Sequence, residues 1–307
     1  MRPVWQGSPV NVDGLIVVDK PGGMTSHDVV ARIRRLAKTR RVGHGGTLDP
    51  MATGVLVIGV NRATRLLTFV IGSAKSYTAT IRLGETTVTD DAEGEVTARV
   101  SAAAVTDEAV HAGLAAQTGD IDQVPSAVSA IKINGVRAYK RVREGEQVEL
   151  PARRVTVSRL EVLAIRRSSE PKPGAVLDVD IDVTCSSGTY IRAIARDLGS
   201  ALGVGGHLTA LRRTAVGGLT LSEASTLTEL EERAPDVVAL PLAEAARRAF
   251  PHRTATEEEA RVLSHGGPLT AVGIVGPYAV FDAAGEVLAV VSERDGRARA
   301  DIVLAPA

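Results

Sequence analysis

Asp49 is the residue whose setting in this sequence most invites chemistry. It stands in Gly43-His-Gly-Gly-Thr-Leu-Asp-Pro-Met-Ala-Thr-Gly54, and from Val42 to Gly54 four glycines and a proline fall within 13 residues. That density predicts a long shaped loop rather than a regular element, and loops held by a scaffold are where reactive groups are placed. A carboxylate there can add to an electrophilic centre and later leave. An Asp-Pro pair also initiates turns, and the residue types alone leave that plainer reading open. Other chemistries fail on pattern. No GxxxxGK[ST] string marks a nucleotide loop, and His44-Gly-Gly lacks the G-x-S-x-G elbow that would accompany a hydrolase oxyanion loop. Histidines 27, 111, 207, 252 and 265 show no ligand spacing with one another or with Cys185, so no metal is expected. Cys185 is the single cysteine, which excludes an internal disulfide and a CxxC pair. The acidic run Thr89-Asp-Asp-Ala-Glu-Gly-Glu95 lacks the alternating ligands of a calcium loop and predicts a plain hairpin.

The elements that must hold Asp49 follow from periodicity. Leu15–Asp19 predicts a buried strand, Pro21-Gly-Gly23 a turn, and Ser26 the N-cap of a helix to about Lys38 with Val29, Val30, Ile33, Leu36 and Ala37 inward. That helix ends in Arg32-Ile-Arg-Arg-Leu-Ala-Lys-Thr-Arg-Arg41, six cations and no anion. Such a run neutralises phosphates or forms a solvated face; Arg40 and Arg41 are the candidate backbone contacts. Thirty of the 36 cations are arginine, which suits forked phosphate contacts. Val55–Val60 predicts a second buried strand, and Ser76–Leu83 alternates with Tyr77, Ala79, Ile81 and Leu83 on one face. Further on come a surface helix (Thr106–Gln117), an extended stretch (Val124–Ile133), a short basic helix (Arg137–Arg143), long strands at Arg154–Arg166 and Val176–Thr184, and a helix at Thr189–Leu202. Strands and helices without regular alternation predict an α+β fold with a mixed, largely antiparallel sheet and flanking helices.

The 307 residues allow one large or two ordinary domains, and 44% apolar with 23% charged residues excludes a wholly disordered chain. No apolar run reaches membrane-spanning length, and Met1–Val12 has no signal-peptide pattern, so a cytoplasmic protein is expected. Net charge is zero, but residues 229–307 carry 8 basic and 13 acidic residues. With prolines at 235 and 241, that shift predicts a boundary giving domains 1–240 and 241–307. In the second, Ala271–Val275, Tyr278–Asp282, Val287–Val291 and Ala300–Leu304 predict strands of a small β-barrel-like domain.

The string Gly-Gly-Thr-Leu-Asp-Pro-x-Ala-Thr-Gly-Val-Leu around Asp49 resembles the catalytic motif of the pseudouridine synthase B family, bacterial tRNA synthases that isomerise uridine 55 of the T-arm. Four further segments resemble that family in order, besides the tyrosine segment Lys75-Ser-Tyr77. They are Asp19-Lys-Pro-Gly-Gly-Met-Thr-Ser26, Ser129-Ala-Ile-Lys-Ile-Asn-Gly-Val-Arg-Ala-Tyr139, the arginine helix from Cys185 to Gly199, and Gly206-His-Leu-Thr-Ala-Leu-Arg-Arg-Thr214. The resemblance implies an isomerase with no cofactor, a central RNA-binding cleft, and a PUA-like RNA-binding domain after Pro241, where no decisive string occurs. It implies Asp49 as nucleophile, Arg192 as the cation that keeps it charged, and Tyr77 as the aromatic floor under the base and a candidate base in the last steps. It further implies Tyr190 and Leu211 as pocket walls and His44 as the group that occupies the space left by an extruded base. Lys20, with Pro21, is read on the substrate side as a brace of the loop. The partner expected is the T-arm stem-loop of tRNA, bound by a monomer with no obligate protein partner and no membrane. Two alternatives stand beside this reading. One is an RNA-folding module in which catalysis is incidental, against which the set Asp49, Tyr77 and Arg192 argues. The other is the related synthase of guide-RNA particles, disfavoured by the short N-terminus and the lack of a Lys-rich tail.

Overall fold

The computed structural model describes residues 12–126, 150–168 and 174–305, with the backbone of 132–133 and 136–137. These residues form two compact units, one of residues up to Asp49, Val55–Ile71 and the chain from Gly218 onward, the other of Pro50–Gly54 and Gly72–Gly217. Among the described residues, no helix is long and apolar enough to cross a membrane.

In the first unit the strand Gly14–Lys20 lies between Leu240–Pro241, antiparallel to it, and the strand Thr53–Val60, which enters this unit at Val55. Its run Leu15-Ile-Val-Val18 is buried, as expected of a strand covered on both faces. The helix Ser26–Leu36 turns Val29, Val30 and Ile33 into the core. Its cap is Thr25, whose hydroxyl accepts from the Asp28 N–H in a reciprocal capping box, while Ser26 lies inside the helix. The predicted cap was therefore one residue late, because Thr-x-x-Asp outcompetes Ser26 for the role. Val42–His44, expected as part of the loop, is a strand paired with Ile58–Val60. Glycine tolerates extended backbone, and here the ladder bonds outweigh its entropic cost.

The chain after Pro241 packs within this same unit. A five-stranded sheet runs in the order His252–Thr254, Tyr278–Phe281, Val287–Arg294, Arg297–Val303, Leu269–Thr270. Its core holds Tyr278, Val280, Ala289, Val291, Leu263 and Ala298. Arg62 binds the Asp13 carboxylate and donates to the Leu304 carbonyl, Arg65 donates to Val303, and Phe69 meets Phe250 edge-on at 4.9 Å. One expectation changes here, and two helices stand where no element was expected. Ala271–Val275 is not a strand, because the Glu293 carboxylate accepts the Val272 and Gly273 N–H groups at 2.7 and 2.9 Å and takes the donors a ladder needs. Leu242–Ala249 and Glu257–Ser264 are helices, the second started by a Thr256–Glu259 capping box.

The second unit is an antiparallel sheet in the order Gly206–Val216, Lys75–Leu83, Leu177–Cys185, Arg153–Arg167, Gly119–Gln123. Lys75–Leu83 and Leu177–Cys185 alternate strictly between buried and half-buried residues. One face is therefore core. The other carries a polar ladder in which Ser76 meets Thr184, Thr80 donates to Asp180, and Arg82 grips Asp178 with two bonds of 2.8 Å. The helix Ile191–Ala201 lays Ile191, Ala193, Ile194, Ala195 and Leu198 into that core. The helix Asp107–Ala115 adds Val110 and Leu114. Thr53–Gly54 runs parallel to Arg212–Arg213 at the edge of this sheet. The predicted extended stretch and basic helix between 124 and 143 fall largely outside the described residues; Lys132–Ile133 and Val136–Arg137 pair as short strands.

Candidate active site

The aspartate loop is anchored in the first unit by a helix serine. Leu48, the residue before Asp49, donates its N–H to the Ser26 hydroxyl at 2.9 Å, and the same hydroxyl donates to the Leu48 carbonyl at 3.1 Å. Ser26 and Leu48 are both buried, so this clamp is shielded from water. At its start the loop is held by the Gly45 N–H bond to Val57 O, 2.8 Å. A side chain at Gly45 would bring its Cβ to 2.8 Å from Val70 Cγ1, so a larger residue there would force Val70 to shift. Asp49 and His44 are half-buried, and the His44 ring meets His27 edge-on at 5.4 Å. Lys20 is fully buried, and its ammonium donates to the carbonyls of Pro21 (2.8 Å) and Met24 (2.7 Å), which makes it the brace of that turn. Arg40 and Arg41 are exposed, and Arg40 lines an open surface concavity with Arg34, Arg35, Lys38 and Thr39.

The clamp leads to a prediction. Ser26→Ala removes both bonds to Leu48 and leaves its buried amide unsatisfied, at a cost of about 1–3 kcal/mol of stability. Turnover is expected to fall with little change in substrate affinity, and Ser26→Thr to recover part of it. Single-turnover rates and urea melts of the three proteins check this; an unchanged rate in Ser26→Ala would show that the clamp does not position Asp49.

The second unit gathers Tyr77, Leu211, Tyr190 and Arg192. Tyr77 and Leu211 lie on the buried faces of neighbouring strands, Leu211 opposite Ala79 and Tyr77 opposite Arg213. Tyr190 is the N-cap residue of the Ile191–Ala201 helix but supplies no side-chain cap. Its backbone is held instead by the buried Gln123 amide, which accepts the Tyr190 N–H at 2.8 Å and donates to its carbonyl at 3.1 Å.

Arg192 is 6% exposed and lies 3.3 Å from Asp91, which is 3% exposed. Arg192 also donates to the Thr89 carbonyl at 2.9 Å. The second Asp91 oxygen accepts from the Thr89 hydroxyl (2.5 Å) and the Glu93 N–H (3.0 Å). The resemblance pairs Arg192 with Asp49; within its own unit, the carboxylate that holds it is Asp91. The neighbouring Asp90 faces Arg196 at 3.6 Å, and burial raises its pKa against the hydrogen bond from Ser126 and the charge of Arg196. The acidic turn is the expected hairpin, between Glu85–Thr87 and Val96–Arg99. Its two aspartates also serve the arginine helix, a role the sequence signalled only through an acidic turn without calcium spacing.

Two further residues join the candidates, Ser26 and Arg213. Arg213 is 1% exposed and stands opposite Tyr77 on the neighbouring strand, and burial lowers its pKa. Gly54, with φ +96°, passes so close to Arg213 that a Cβ there would sit 2.2 Å from the Arg213 carbonyl oxygen. Among the described residues, no cluster of three histidines, cysteines or carboxylates is placed to hold a metal ion.

Residues 34–191 match the model described as "TruB family pseudouridylate synthase (N terminal domain)". Residues 192–238 match "tRNA pseudouridylate synthase B C-terminal domain", and 250–305 match "tRNA Pseudouridine synthase II, C terminal". The chain is 57% identical over 304 residues to tRNA pseudouridine synthase B of Arthrobacter sp. (strain FB24), covering 96% of this chain and 97% of the relative. It is likewise 57% identical over 293 residues to that of Thermobifida fusca (strain YX), covering 95% and 99%. Among solved structures it is similar to a Cbf5-Nop10-Gar1 complex, with a TM-score of 0.71 and 25% identity over 99% of this chain and 88% of that one. With a family model spanning more than half of its length and relatives this close over nearly all of it, the chain belongs to the TruB family of pseudouridylate synthases.

Proposed function

We propose that this isomerase converts uridine to pseudouridine at position 55 in the T-arm of tRNA, with Asp49 as nucleophile, Arg192 holding charge in the site, and Tyr77, Tyr190 and Leu211 enclosing the base. The reaction breaks the C1′–N1 bond, turns the uracil and joins C1′ to C5, so atoms and oxidation level are conserved. A carboxylate suits it because it can both add and leave, as in retaining glycosidases. Attack at C1′, addition at C6 and abstraction of the 2′ proton all demand that Asp49 be ionised. The target base is drawn out of a folded arm before it reacts, and a planar imidazole such as His44 suits the gap in the stack.

The observation that carries this reading is the register of Thr53 with Arg212 and of Gly54 with Arg213. The loop that begins at Asp49 thereby ends beside the strand bearing Leu211, whose neighbour bears Tyr77. Thr53 lies four positions after Asp49, a reach of at most about 14 Å. The relatives named as tRNA synthases share 57% identity with this chain, against 25% for the Cbf5 complex, and so favour tRNA over a guided particle. We take the enzyme to work in the cytoplasm as a monomer, with no obligate protein partner, and the segment after Pro241 to bind RNA. The deciding experiment is incubation with an unmodified tRNA transcript and mapping of pseudouridine at every uridine. Conversion confined to position 55 is expected; conversion elsewhere, or none, overturns the assignment.

Arg40 and Arg41 are proposed to contact phosphates. Arg40→Glu with Arg41→Glu is expected to weaken tRNA binding and to reduce the slope of log affinity against log salt by about one unit per lost contact. An unchanged slope would make this helix end a solvated face.

A further inference from the structure

The helix Ile191–Ala201 begins without the ordinary cap. Its N-cap position holds Tyr190, whose side chain makes no capping bond, where serine, threonine, aspartate or asparagine would accept from the first turn. The start of the helix is held from another strand instead. Gln123, 67 positions away and buried, ends the edge strand Gly119–Gln123. Its amide oxygen accepts the Tyr190 N–H at 2.8 Å, and its amide nitrogen donates to the Tyr190 carbonyl at 3.1 Å. The same carbonyl accepts the Ala193 and Ile194 N–H groups at 3.1 and 3.3 Å, the opening bonds of the helix. One side chain thus fixes the N–H and the C=O of residue 190 together with the origin of the helix, while position 190 keeps a large aromatic ring. From these contacts we propose that Gln123 is a positioning residue of the isomerisation, which sets the placement of Tyr190 and Arg192 by fixing the backbone at the helix start.

The residues around Gln123 serve the same helix. The turn that leads into Tyr190 is pinned at its other end, where the Ser186 N–H donates to the Thr156 carbonyl at 2.8 Å and the Thr156 N–H to the Ser186 hydroxyl at 2.9 Å. Thr156 pairs with Asp120 on the strand that Gln123 ends, so both ends of the turn rest on adjoining strands. Beyond Gln123, the Val124 carbonyl accepts from Arg196, one turn along the helix from Arg192, at 2.7 Å. The buried Ser126 hydroxyl donates at 3.3 Å to the Thr89 carbonyl, which also accepts from Arg192 at 2.9 Å. Residues 123–126 therefore bind the helix start, the helix flank and the hairpin that holds the Arg192 guanidinium. The Arg192 backbone is placed by the helix, and its guanidinium by Thr89 and Asp91. A shift of the helix start would set those two anchors against each other.

An amide suits this work. It offers one acceptor and one donor to a peptide N–H and a peptide C=O, and it brings no charge beside a buried ion pair. Burial keeps water from competing for either bond. The effect on function follows from what each step tolerates. A misplacement of about 1 Å can cost about 100-fold in rate, whereas affinity for a polyanion rests on phosphate contacts and is insensitive to such a shift. The inference rests on the reading of Tyr190 and Arg192 as residues of the substrate site.

The test compares the full-length wild type with Gln123→Leu, Gln123→Glu, Arg192→Lys and each Gln123 variant combined with Arg192→Lys. Single-turnover pseudouridine formation on a tRNA transcript, affinity for that transcript, and hydrogen exchange of the peptide spanning 186–194 are measured on each. Gln123→Leu fills the space and makes neither bond. It is expected to be slowed roughly 100-fold, with tRNA affinity within a few fold of wild type. Exchange in 186–194 should quicken while the Lys75–Leu83 strand keeps its protection. Gln123→Glu, which keeps an acceptor for the Tyr190 N–H, should recover part of the rate and of the protection. If Gln123 acts through Arg192, either substitution should cost only a few fold more once Arg192→Lys is present. A mere loss of folded protein would cost the same factor in both backgrounds. Should Gln123→Leu fail to fold, the cycle with Gln123→Glu makes the same comparison. An unchanged rate despite quicker exchange, a slower rate with unaltered exchange, or the same factor in both backgrounds overturns the inference. Full turnover in Arg192→Lys would instead overturn the placement of Arg192 in the site.

Discussion

Asp49→Asn is expected to abolish pseudouridine formation while leaving tRNA affinity within a few fold of wild type. The substitution keeps the size and hydrogen-bonding capacity of the side chain and removes only its charge. The Ser26 clamp on Leu48 is made to backbone atoms and does not depend on the residue at 49. The loop should therefore keep its path, and phosphate contacts, which supply most of the affinity for a polyanion, lie elsewhere. What is lost is the nucleophile, and with it the whole covalent route, an effect of many orders of magnitude. Filter binding and pseudouridine mapping on the same preparation separate the two quantities. Near-normal product from Asp49→Asn would remove the aspartate from the mechanism. Loss of binding together with product would instead make Asp49 a determinant of loop shape. If the protein were an RNA-folding module, this variant would still remodel unmodified tRNA fully, so tRNA folding should be measured alongside.

Arg192→Met is expected to be the most destabilising single change in the site. The guanidinium and the Asp91 carboxylate are both almost wholly buried and lie 3.3 Å apart. Removing one partner of such a pair strands the other charge in a poor solvent and costs about 3–5 kcal/mol. Arg192→Met should therefore unfold at markedly lower urea concentration and lose turnover. Asp91→Asn should also be destabilising, since it leaves Arg192 without its counter-charge and weakens the hydrogen bonds that the Thr89 hydroxyl and the Glu93 N–H donate to that oxygen. The double variant Arg192→Met with Asp91→Asn should be more stable than the sum of the two losses predicts, by about 0.5–3 kcal/mol of coupling. Urea melts of the four proteins measure it. Strictly additive losses would mean the pair does not interact in the free enzyme. The same cycle run with Asp49→Asn asks the separate question of whether Asp49 shares this arginine.

Local pattern carried the reading of the strands a long way. The strict alternation from Lys75 to Leu83 predicted which side chains are buried, because a strand's side chains alternate by geometry alone. The buried run at Leu15–Val18 and the apolar stripe of Ser26–Leu36 are likewise local signals. Where side chains compete for backbone groups, local reading fell short. Thr25 took the cap from Ser26, and Glu293 took the donors that would have made a strand of Ala271–Val275. The helices Leu242–Ala249 and Glu257–Ser264 stand where the sequence reading names no element, although Thr256 and Glu259 form a legible capping box.

The same division holds for the site. Asp49, Tyr77, Tyr190, Arg192 and Leu211 are singled out by the resemblance of their ordered strings to a known family, while the residue types alone leave Asp49 open to a plain turn reading. Nothing along the chain linked Asp91 to Arg192, 101 positions apart, or Gln123 to the Tyr190 backbone, or Arg213 to Tyr77 across the strands. Those partners are chosen by strand register and by which faces are buried. Once a charge or a backbone group is removed from water, it must be met by whatever the fold brings within hydrogen-bond distance. The ordered strings point to the candidate reactive groups; only the packed sheet decides which residues hold them in place.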